Sequence, residues 1–415
     1  MHPIEIMAPV GSYESLAAAI QAEADSVYFG VGALNMRSRS AVNFTLDDID
    51  NICARCREHG LRTYLTLNTI IYDHEMADMR SLVDRAMQAG VSAIIASDFA
   101  VIAYARSVGM EVHISTQANI SNVEAVRFFA QYADVMVTAR ELSLRQVADI
   151  VETIQREHIC GPSGQLVRIE TFAHGALCMA VSGKCYLSLD NANASANRGR
   201  CLQLCRRGYL VRDLETGTEL EVDGKYIMSP KDLKTIDFLD KMVQAGIRVL
   251  KIEGRGRSAD YVKVVVECYR EALDAIATNT YTPERIADWN QRLSTVFNRG
   301  FWDGYYLGRT MGEWTKRYGS QATETKVYLG RVTNFFARIQ VAEFRLETAE
   351  TLSVGDQLMV IGQTTGVYSA TVDELRLDDG PVDSVHQGDL FSIRTSEPLH
   401  RGDKFYKVVS IPDLY

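Results

Sequence analysis

Residues 92–117 read SAIIASDFAVIAYARSVGMEVHISTQ, and this stretch contains the unit from which the fold is built. It begins with an apolar run, Ala93–Asp98, continues as an amphipathic run, Val101–Ser107, and ends in a second β-rich run, Glu111–Gln117. A strand, a helix and a further strand in this order predict a βαβ unit with parallel strands. The first run is almost entirely apolar, which is typical of a strand covered on both faces.

The same unit recurs through the first 255 residues. The predicted strands are Ile4–Ala8, Ser26–Gly30, Arg62–Asn68, Ala93–Asp98, Glu111–Gln117, Asp134–Ala139, Val167–Ala173 and Arg248–Glu253. The predicted helices are Ser15–Ala24, Leu46–His59, Glu75–Gln88, Val101–Ser107, Val123–Gln131, Leu144–Arg156 and Ala259–Thr278. Eight such strands predict an α/β fold, a closed TIM-like (β/α) barrel. A doubly wound open sheet is the alternative, but no GxGxxG motif follows the first strand to favour it.

Polar residues gather where these strands end. Since active sites of such barrels lie at the carboxyl ends of the strands, these residues are candidates for the site. The alternative is that strand ends are polar only because the chain reaches the surface there. The residues concerned are Asn68, Ser115, Thr116, Gln117, Asn119, Arg140, Glu141, His174, Lys251, Glu253, Arg255 and Arg257.

A long insertion between the last two strands carries four cysteines, Cys178, Cys185, Cys201 and Cys205. Their spacing is C-x6-C-x15-C-x3-C, and either zinc or a 4Fe–4S cluster accepts four cysteines. Zinc sites usually have tight C-x2-C pairs, so the spacing favours the cluster, with unligated core cysteines as the other alternative. Gly175, Gly183 and Gly199 let the backbone pass close to a bulky group. The neighbouring arginines, which offset cluster charge or meet a substrate phosphate, are Arg198, Arg200, Arg206 and Arg207.

The other cysteines read as structural. Cys53 and Cys56 form a C-x2-C, but they lie at i and i+3 of a predicted amphipathic helix, so packing is favoured over a redox or metal role. Cys160 and Cys268 are isolated in the sequence.

The sequence pattern changes near residue 322. Short alternating runs, Lys326–Val332, Ala337–Val341, Asp356–Ile361 and Asp389–Ile393, predict a small antiparallel β-barrel. The predicted division is therefore a barrel domain at 1–280 with an insertion around 174–225, a helical or loop connector at 281–322, and a β domain at 323–415.

Composition bounds the function. The chain of 415 residues starts without a signal peptide and contains no apolar run long enough to span a membrane, so a cytoplasmic protein without a membrane partner is predicted. In that reducing compartment, cysteines serve metals, catalysis or packing and not disulfides. The net charge of −9 argues against a broadly basic nucleic-acid binder but leaves room for a local basic groove.

The insertion resembles the signature of the collagenase-like U-thirty-two peptidase family. The matching pattern is Glu170-x-Phe172-x-x-Gly175-Ala176-Leu177-Cys178-x4-Gly183-x-Cys185-x-Leu187-Ser188. Further matching pieces, which extend the likeness over nearly the whole chain, are Ala8-Pro9-x-Gly11, Tyr28-Phe29-Gly30, His113-x-Ser115-Thr116-Gln117-x-Asn119, Ala139-Arg140-Glu141-Leu142, Ser229-Pro230-Lys231-Asp232-Leu233, Lys251-Ile252-Glu253-Gly254-Arg255 and Asn298-Arg299-Gly300-Phe301.

The resemblance implies activities as well as a fold. The family includes proteins called peptidases or collagenases, and RNA hydroxylation proteins that form 5-hydroxyuridine at the wobble position of transfer RNA with prephenate, or hydroxylate a ribosomal cytidine. Other members serve ubiquinone hydroxylation and bind 4Fe–4S clusters. Length and the β-rich tail are most similar to the transfer-RNA branch, so transfer RNA is preferred to ribosomal RNA as partner. Carried over by motif, the cluster ligands are Cys178, Cys185, Cys201 and Cys205.

The residues favour hydroxylation over peptide hydrolysis. No HExxH or G-x-S-x-G motif is present, and a cysteine that binds iron is unavailable as a nucleophile. Hydroxylation of a base is redox chemistry, and clusters are cofactors that carry such chemistry. Glu253, His174 and Lys251 are the candidate catalytic residues, and Asn68 and Gln117 are candidates for substrate binding. Candidate clamps for a small dicarboxylate such as prephenate, with surface salt bridging as their alternative, are Arg37, Arg39, Arg140, Lys231, Arg255 and Arg257.

Two regions are candidates for gripping RNA. One is the arginine cluster at 198–207, and the other is the β-rich tail together with Trp314, Lys316, Arg317 and Tyr318, which offer charge and stacking. A third function class is a cluster-bearing scaffold or accessory factor without activity of its own. The sequence gives no signal of oligomeric state.

Overall fold

The recurring strand–helix units form a closed ring of parallel strands. The computed structural model describes residues 4–39, 43–209, 211–220, 228–308, 312–316 and 318–411. Its first twelve strands are β1 (Glu5–Pro9), β2 (Ser26–Gly30), β3 (Arg62–Leu67), β4 (Ala93–Ala96), β5 (Val112–Ile114), β6 (Val135–Val137), β7 (Arg168–Ala176), β8 (Val211–Arg212), β9 (Glu219–Leu220), β10 (Asp232–Lys234), β11 (Val249–Ile252) and β12 (Phe301–Trp302). Strands β1 to β7 pair in order, and β11 pairs with both β7 and β1. The predicted eight-stranded TIM-like barrel is confirmed.

Helices follow the barrel strands and cover the outside of the ring, except for α7, which lies in the insertion at the barrel mouth. The helices are α1 (Tyr13–Gln21), α2 (Asp48–Glu58), α3 (Met76–Ala89), α4 (Phe99–Ser107), α5 (Val123–Phe129), α6 (Leu144–Arg156), α7 (Leu187–Ala192), α8 (Leu239–Gln244), α9 (Ala259–Ala277) and α10 (Pro283–Thr295). Side-chain caps fix several starts: Ser12, Asp98 and Asn122 each accept a backbone N–H of the first turn. Ser143 and Gln146 form a capping box at α6.

Two predicted strand ends are placed differently. The predicted strand Glu111–Gln117 ends at Ile114, because the Ser115 side chain caps a short 3-10 helix at Thr116–Ala118. Strand β7 is longer than predicted, because β10 pairs antiparallel with its end and places Leu233 opposite Gly175. His174 therefore lies inside a strand and not just after one.

Packed side chains close the middle of the barrel. Met7, Tyr28, Tyr64, Ile95 and Val249 come from different strands and are buried together. A barrel filled in this way is a core and not a pore, so a ligand has access only at a mouth. Cys53 and Cys56 are buried on α2 in the layer between strands and helices, as predicted. Cys268 is buried as well, whereas Cys160 is exposed and does not serve core packing.

The end of the chain is an antiparallel β domain, as predicted. Its strands are β13 (Glu324–Phe336), β14 (Val341–Leu346), β15 (Leu352–Ser353), β16 (Gln357–Gly362), β17 (Gly366–Thr371), β18 (Leu375–Leu377), β19 (Gly380–Val382), β20 (Ser384–Val385), β21 (Leu390–Arg394) and β22 (Lys404–Ser410). Eight of them form one sheet over a separate core that includes Phe344, Phe391 and Phe405. The predicted strand Ala337–Val341 is wrong, since residues 337–340 form a hairpin turn with Gln340 at a φ of 52°.

The β domain contacts the barrel through the edge of its sheet. The Gln21 side chain of α1 donates to the carbonyl of Thr365 over 2.7 Å and accepts the N–H of Val367 over 2.9 Å, as a neighbouring strand does. Lys263 of α9 donates to the Val367 carbonyl over 2.9 Å. These bonds cover an edge that is otherwise open to pairing. Across the described part of the chain, no helix has both the length and the apolar character needed to cross a membrane.

Candidate functional site

A cavity of about 210 Å³ lies at the carboxyl ends of the barrel strands, above the packed interior. The ends of β2, β3, β5, β6, β7 and β11 contribute to its wall, and the insertion between β7 and β10 covers one side. It is lined by the four predicted ligand cysteines and by polar residues predicted from strand ends. Its charged, polar and sulfur-bearing lining residues include Tyr28, Arg37, Thr66, Asn68, Gln117, Arg140, Cys178, Cys185, Cys201, Cys205, Arg206, Lys251, Glu253, Arg255, Arg257 and Arg299.

The four cysteines reach the cavity from separate turns of the insertion. Cys178 is exposed, and Cys185, Cys201 and Cys205 are half-buried. The backbone N–H of Gln203 donates to Cys201 Sγ over 3.4 Å, so this sulfur has a partner suited to a thiolate. Burial, together with the negative charges of the other three cysteines, raises the pKa of Cys205 to about 11, although Arg206 opposes the shift.

This donor set fits a polynuclear centre. Four thiolates that share a cavity repel one another, and a bound metal centre relieves that repulsion because its positive charge takes the place of the thiol protons. Among residues 4–39, 43–209, 211–220, 228–308, 312–316 and 318–411, no three His, Cys, Asp or Glu side chains converge closely enough to hold a single metal ion. A 4Fe–4S cluster takes one cysteine on each iron, so its ligands stand further apart than those of one zinc ion. The cysteines therefore fit the predicted cluster by their chemistry and shared cavity.

Two glycines of the insertion allow it to approach the barrel loops closely. Gly183 and Gly199 both have positive φ, and a side chain on either would collide with the barrel loops. A Cβ on Gly183 would lie 2.1 Å from Oε1 of Gln117, and one on Gly199 would lie 2.2 Å from the carbonyl oxygen of Asn35. The glycines thus let the cysteine-bearing turns press against the barrel mouth.

Glu253 is an anion held by arginines. Its Oε1 accepts from Nε of Arg37 over 3.1 Å, and its Oε2 accepts from the Tyr28 hydroxyl over 3.3 Å. Burial alone would raise the pKa of Glu253, but Arg37, Arg140 and Arg255 outweigh it and hold the pKa at about 2. The carboxylate is therefore ionised at neutral pH, so the predicted acid–base role is confined to accepting a proton or anchoring cations.

A buried ion pair lies beneath Glu253. Lys251 Nζ is 2.8 Å from Oε1 of Glu170, and the two side chains are 7% and 0% exposed. The other carboxylate oxygen of Glu170 has no partner among the described residues. The Lys251 ammonium also lies 4.7 Å from the ring centre of Tyr28. Because both charges are buried, the pair is sensitive to the loss of either partner.

Further cations complete the wall. Arg255 donates to the Thr66 hydroxyl over 2.7 Å, and burial lowers the pKa of Arg255 to about 10. The Arg140 guanidinium lies 3.8 Å from the ring centre of Phe172, and its Nε has no partner among the described residues. Arg257 stacks 3.6 Å from the ring centre of Phe297. Cations outnumber the single carboxylate of Glu253 along this wall, so the cavity favours an anionic ligand.

Five predicted residues lie outside the cavity lining: Arg39, Asn119, Glu141, His174 and Lys231. His174 is turned away, with Nδ1 3.4 Å from the Tyr269 hydroxyl, because an irregularity in the pairing of β7 with β11 shifts the register: Lys251 pairs with Phe172, but Ile252 pairs with His174. Lys231 is paired with Glu313 over 2.7 Å. Arg39 is exposed in the loop after β2. The positions of His174 and Lys231 do not support the predicted catalytic and substrate-binding roles.

Replacement of His174 by phenylalanine is expected to flatten the pH dependence of stability. Burial, aided by Lys234 and Arg257, lowers the His174 pKa from 6.5 to about 3. As pH falls from 6.5 towards 3 the unfolded chain binds a proton that the folded chain does not, so the wild type loses up to about 1.4 kcal/mol per pH unit through this group. Melting temperatures measured from pH 7 to pH 5 should fall less for His174→Phe. Equal slopes for both proteins would contradict this environment for His174.

Asn68 and Gln117 lie where they were predicted. The Asn68 amide oxygen accepts the backbone N–H of Met36 over 3.1 Å, and the Gln117 amide donates to the Ser182 hydroxyl over 2.8 Å. The two amides thus hold the loop after β2 and the insertion against the mouth. Tyr28 and Thr66 line the cavity but were not predicted as site residues. The signal available for them was alternation along β2 and β3, which points both side chains inward.

The arginines that were predicted to bind RNA fall into two groups, those with a protein partner and those that are exposed. Arg206 lines the cavity and donates to the carbonyl of Leu177 over 2.7 Å, and Arg198 is paired with Glu75. Arg200 and Arg207 are exposed. In the connector, Trp314 and Tyr318 are 39% and 73% exposed. The predicted residue Arg317 lies outside the described residues.

The fold and the cavity define a class: a TIM-type barrel protein with a cationic mouth that carries four cysteines. The family model for peptidase family U32 matches residues 11–316, which is most of the chain. The chain therefore belongs to this family, which confirms the resemblance in the sequence.

Similar proteins of known name fall into two groups. A protein of Porphyromonas gingivalis named collagenase is 56% identical over 407 residues, which cover 98% of each chain. The tRNA hydroxylation protein P1 of Bacillus subtilis is 32% identical over 91% of this chain and 87% of its own length. A protein of Escherichia coli named as a 23S rRNA 5-hydroxycytidine synthase is 29% identical over 96% of this chain and 59% of its own. The family thus contains both collagenase-named and RNA-hydroxylating members.

Proposed function

We propose that this protein is an enzyme that hydroxylates a pyrimidine base of RNA, with a uridine at the wobble position of transfer RNA as the preferred substrate. The observation that carries the proposal is the cavity, in which four cysteines and a cationic barrel mouth face the same space. Hydroxylation breaks a ring C–H bond, forms a C–O bond and removes two electrons from the base, so the reaction also requires an oxygen donor and a two-electron acceptor as co-reactants. The relatives named as RNA hydroxylation proteins support this reaction class.

Cys178, Cys185, Cys201 and Cys205 would hold a 4Fe–4S cluster, which supplies electron transfer when bound. The residues of the chain supply the environment. Arg206 offsets negative charge beside Cys205 and ties the insertion to the Leu177 carbonyl. Asn68 and Gln117 hold the loop after β2 and the insertion in place beside the cysteines.

The cationic wall suits a small dicarboxylate, and prephenate is the proposed cosubstrate. Arg140, Arg255 and Arg257 line one cavity, and guanidinium groups bind carboxylates through paired hydrogen bonds. Glu253 keeps Arg37 in place while the site is empty, since its carboxylate stays ionised. An incoming carboxylate would compete with Glu253 for Arg37, and Lys251 would add positive charge from below.

The collagenase name of the 56% identical relative makes peptide hydrolysis the second candidate function. The geometry gives it less support, because a cysteine nucleophile needs a base within hydrogen-bond reach. His174, the histidine nearest in sequence to Cys178, is buried against Tyr269 and does not line the cavity. Glu253, with a pKa of about 2, is a weak base.

Nucleoside analysis of RNA from a strain that lacks this gene tests the proposal. We expect 5-hydroxyuridine-derived nucleosides to disappear from transfer RNA and to return with the wild-type gene but not with Cys201→Ser. A strain unable to make prephenate should show the same loss. Loss of 5-hydroxycytidine from ribosomal RNA would move the substrate to that RNA. Unchanged RNA together with cleavage of a collagen peptide by the purified protein would replace the proposal by the peptidase, and unchanged RNA without cleavage would favour the scaffold.

A further inference from the structure

The exposed aromatic side chains of the barrel are unevenly distributed. Within the described residues up to 308, they are Tyr72, Phe99, Phe128, Tyr186 and Tyr209, each at least 39% exposed. Phe128 lies on helix α5, and Phe99 stacks on Phe129 of the same helix with the ring centres 6.4 Å apart. The other three follow the carboxyl ends of strands β3 and β7, in the loop and the insertion that border the cavity. Large exposed aromatics concentrated on one face indicate a binding surface.

Tyr186 stands at the rim of the cavity. Its two neighbours, Cys185 and Leu187, both line the cavity, while the Tyr186 side chain is 75% exposed. Met179 lines the cavity from the same insertion and is 40% exposed. A flat ring at this position is open to a ligand that extends out of the mouth.

Tyr72 is fixed against the same insertion. The backbone N–H of Ile70 donates to the carbonyl of Asn197 over 3.1 Å, which joins the β3–α3 loop to the insertion. The Arg198 guanidinium lies 4.2 Å from the ring centre of Tyr72 and is paired with Glu75. Tyr72 is therefore a pre-oriented ring that keeps half of its surface exposed.

The cysteine-bearing segment of the insertion has a net charge opposite in sign to that of the whole chain. Residues 178–209 contain five cationic residues and one acidic residue, whereas the whole chain has a net charge of −9. Lys184, Arg200 and Arg207 are exposed. Exposed cations and exposed aromatic rings in one segment match a ligand that alternates flat rings with phosphates, as a single strand of nucleic acid does.

We propose that this face binds an unpaired stretch of RNA, with the rings of Tyr186 and Tyr72 stacking on bases that flank the target nucleotide. The inference rests on the proposed function and adds the binding residues and the strandedness of the substrate. The reacting space lies at the barrel mouth under the insertion, and a base inside a duplex cannot enter such a pocket without leaving its stack. Bases in an unpaired loop are already free to stack on tyrosine.

Binding of labelled RNA to the purified full chain tests the surface. Fluorescence anisotropy would measure binding of two RNAs. One is a hairpin whose unpaired loop contains uridine, and the other is a fully paired duplex that includes the same sequence. We expect the hairpin to bind more tightly, and Tyr186→Ala to weaken hairpin binding about tenfold, the usual effect of losing one base–aromatic stack. Tyr186→Phe keeps the ring and should bind as the wild type does.

Phe128→Ala is the matched control, since Phe128 is an exposed aromatic outside this face. It should leave binding unchanged. Equal weakening by Phe128→Ala and Tyr186→Ala, or equal affinity for hairpin and duplex, would overturn the surface. So would Tyr186-dependent binding of a gelatin peptide in place of RNA, which would make the face a protein-binding one. The assay measures no hydroxylation, so RNA that binds through Tyr186 but stays unmodified would refute the proposed reaction and leave the surface intact.

Discussion

Cys201→Ser is expected to abolish the iron–sulfur cluster that we propose for the insertion. Wild-type protein purified without oxygen should contain about four irons and four sulfides per chain, and the variant should contain few of either. Cys201 is the cysteine whose Sγ accepts the N–H of Gln203, and it lines the same cavity as the other three. A hydroxyl is a poorer ligand for iron than a thiolate, so one replacement removes a quarter of the anchoring set. Iron and sulfide analysis with an absorption spectrum measures the result.

Cys160→Ser is the control for that experiment. Cys160 is exposed and does not line the cavity, so its replacement should leave the iron content unchanged. Equal loss of iron in both variants would indicate general damage, and retention of iron by Cys201→Ser would remove Cys201 from the ligands. Zinc in the wild type, at about one ion per chain as a four-cysteine zinc site binds, would replace the cluster by a structural site and take away the support for redox chemistry.

The barrel could be predicted from the sequence because each strand carries its own signal. An apolar run such as Ala93–Asp98, followed by an amphipathic run, is a local pattern that needs no knowledge of the rest of the chain. The exact ends of the strands are harder to predict from the sequence, because they depend on pairing partners that are far away in sequence. The end of β7 is set by pairing with β10, which places Lys234 opposite His174.

The candidate site, too, could be predicted from the sequence only in part. Placement of Glu253, Arg255 and Lys251 at the mouth follows from their position at the end of the last barrel strand. Their partners do not, because the pairing of Arg37 with Glu253 joins residues 216 positions apart. The low pKa of Glu253 depends on that pairing, so the sequence alone does not predict that this carboxylate is ionised.

Lys251→Met is expected to destabilise the barrel strongly. The change keeps the length of the side chain but leaves the Glu170 carboxylate buried without its cation, and loss of one partner of a buried pair costs about 3–5 kcal/mol. For a domain of this size that corresponds to a fall in melting temperature of roughly 10 °C. Differential scanning calorimetry of the full chain measures it. Lys231→Met is the matched control: the Lys231–Glu313 pair is 30% exposed on each side, and its loss should cost less than about 1 kcal/mol.

The double variant Lys251→Met/Glu170→Met separates structure from chemistry at this position. It removes both charges and fills their space with apolar side chains, so the melting temperature should return most of the way to the wild-type value. Hydroxylation should stay lost in the double variant if Lys251 also contributes positive charge to the cavity, because Lys251 lines it beside Glu253 and Arg255. Recovery of both stability and activity would make Lys251 a structural partner of Glu170 alone. A single variant as stable as the wild type would show that water reaches Glu170 and that the barrel mouth is more open than the packing of Phe172 and Tyr28 indicates.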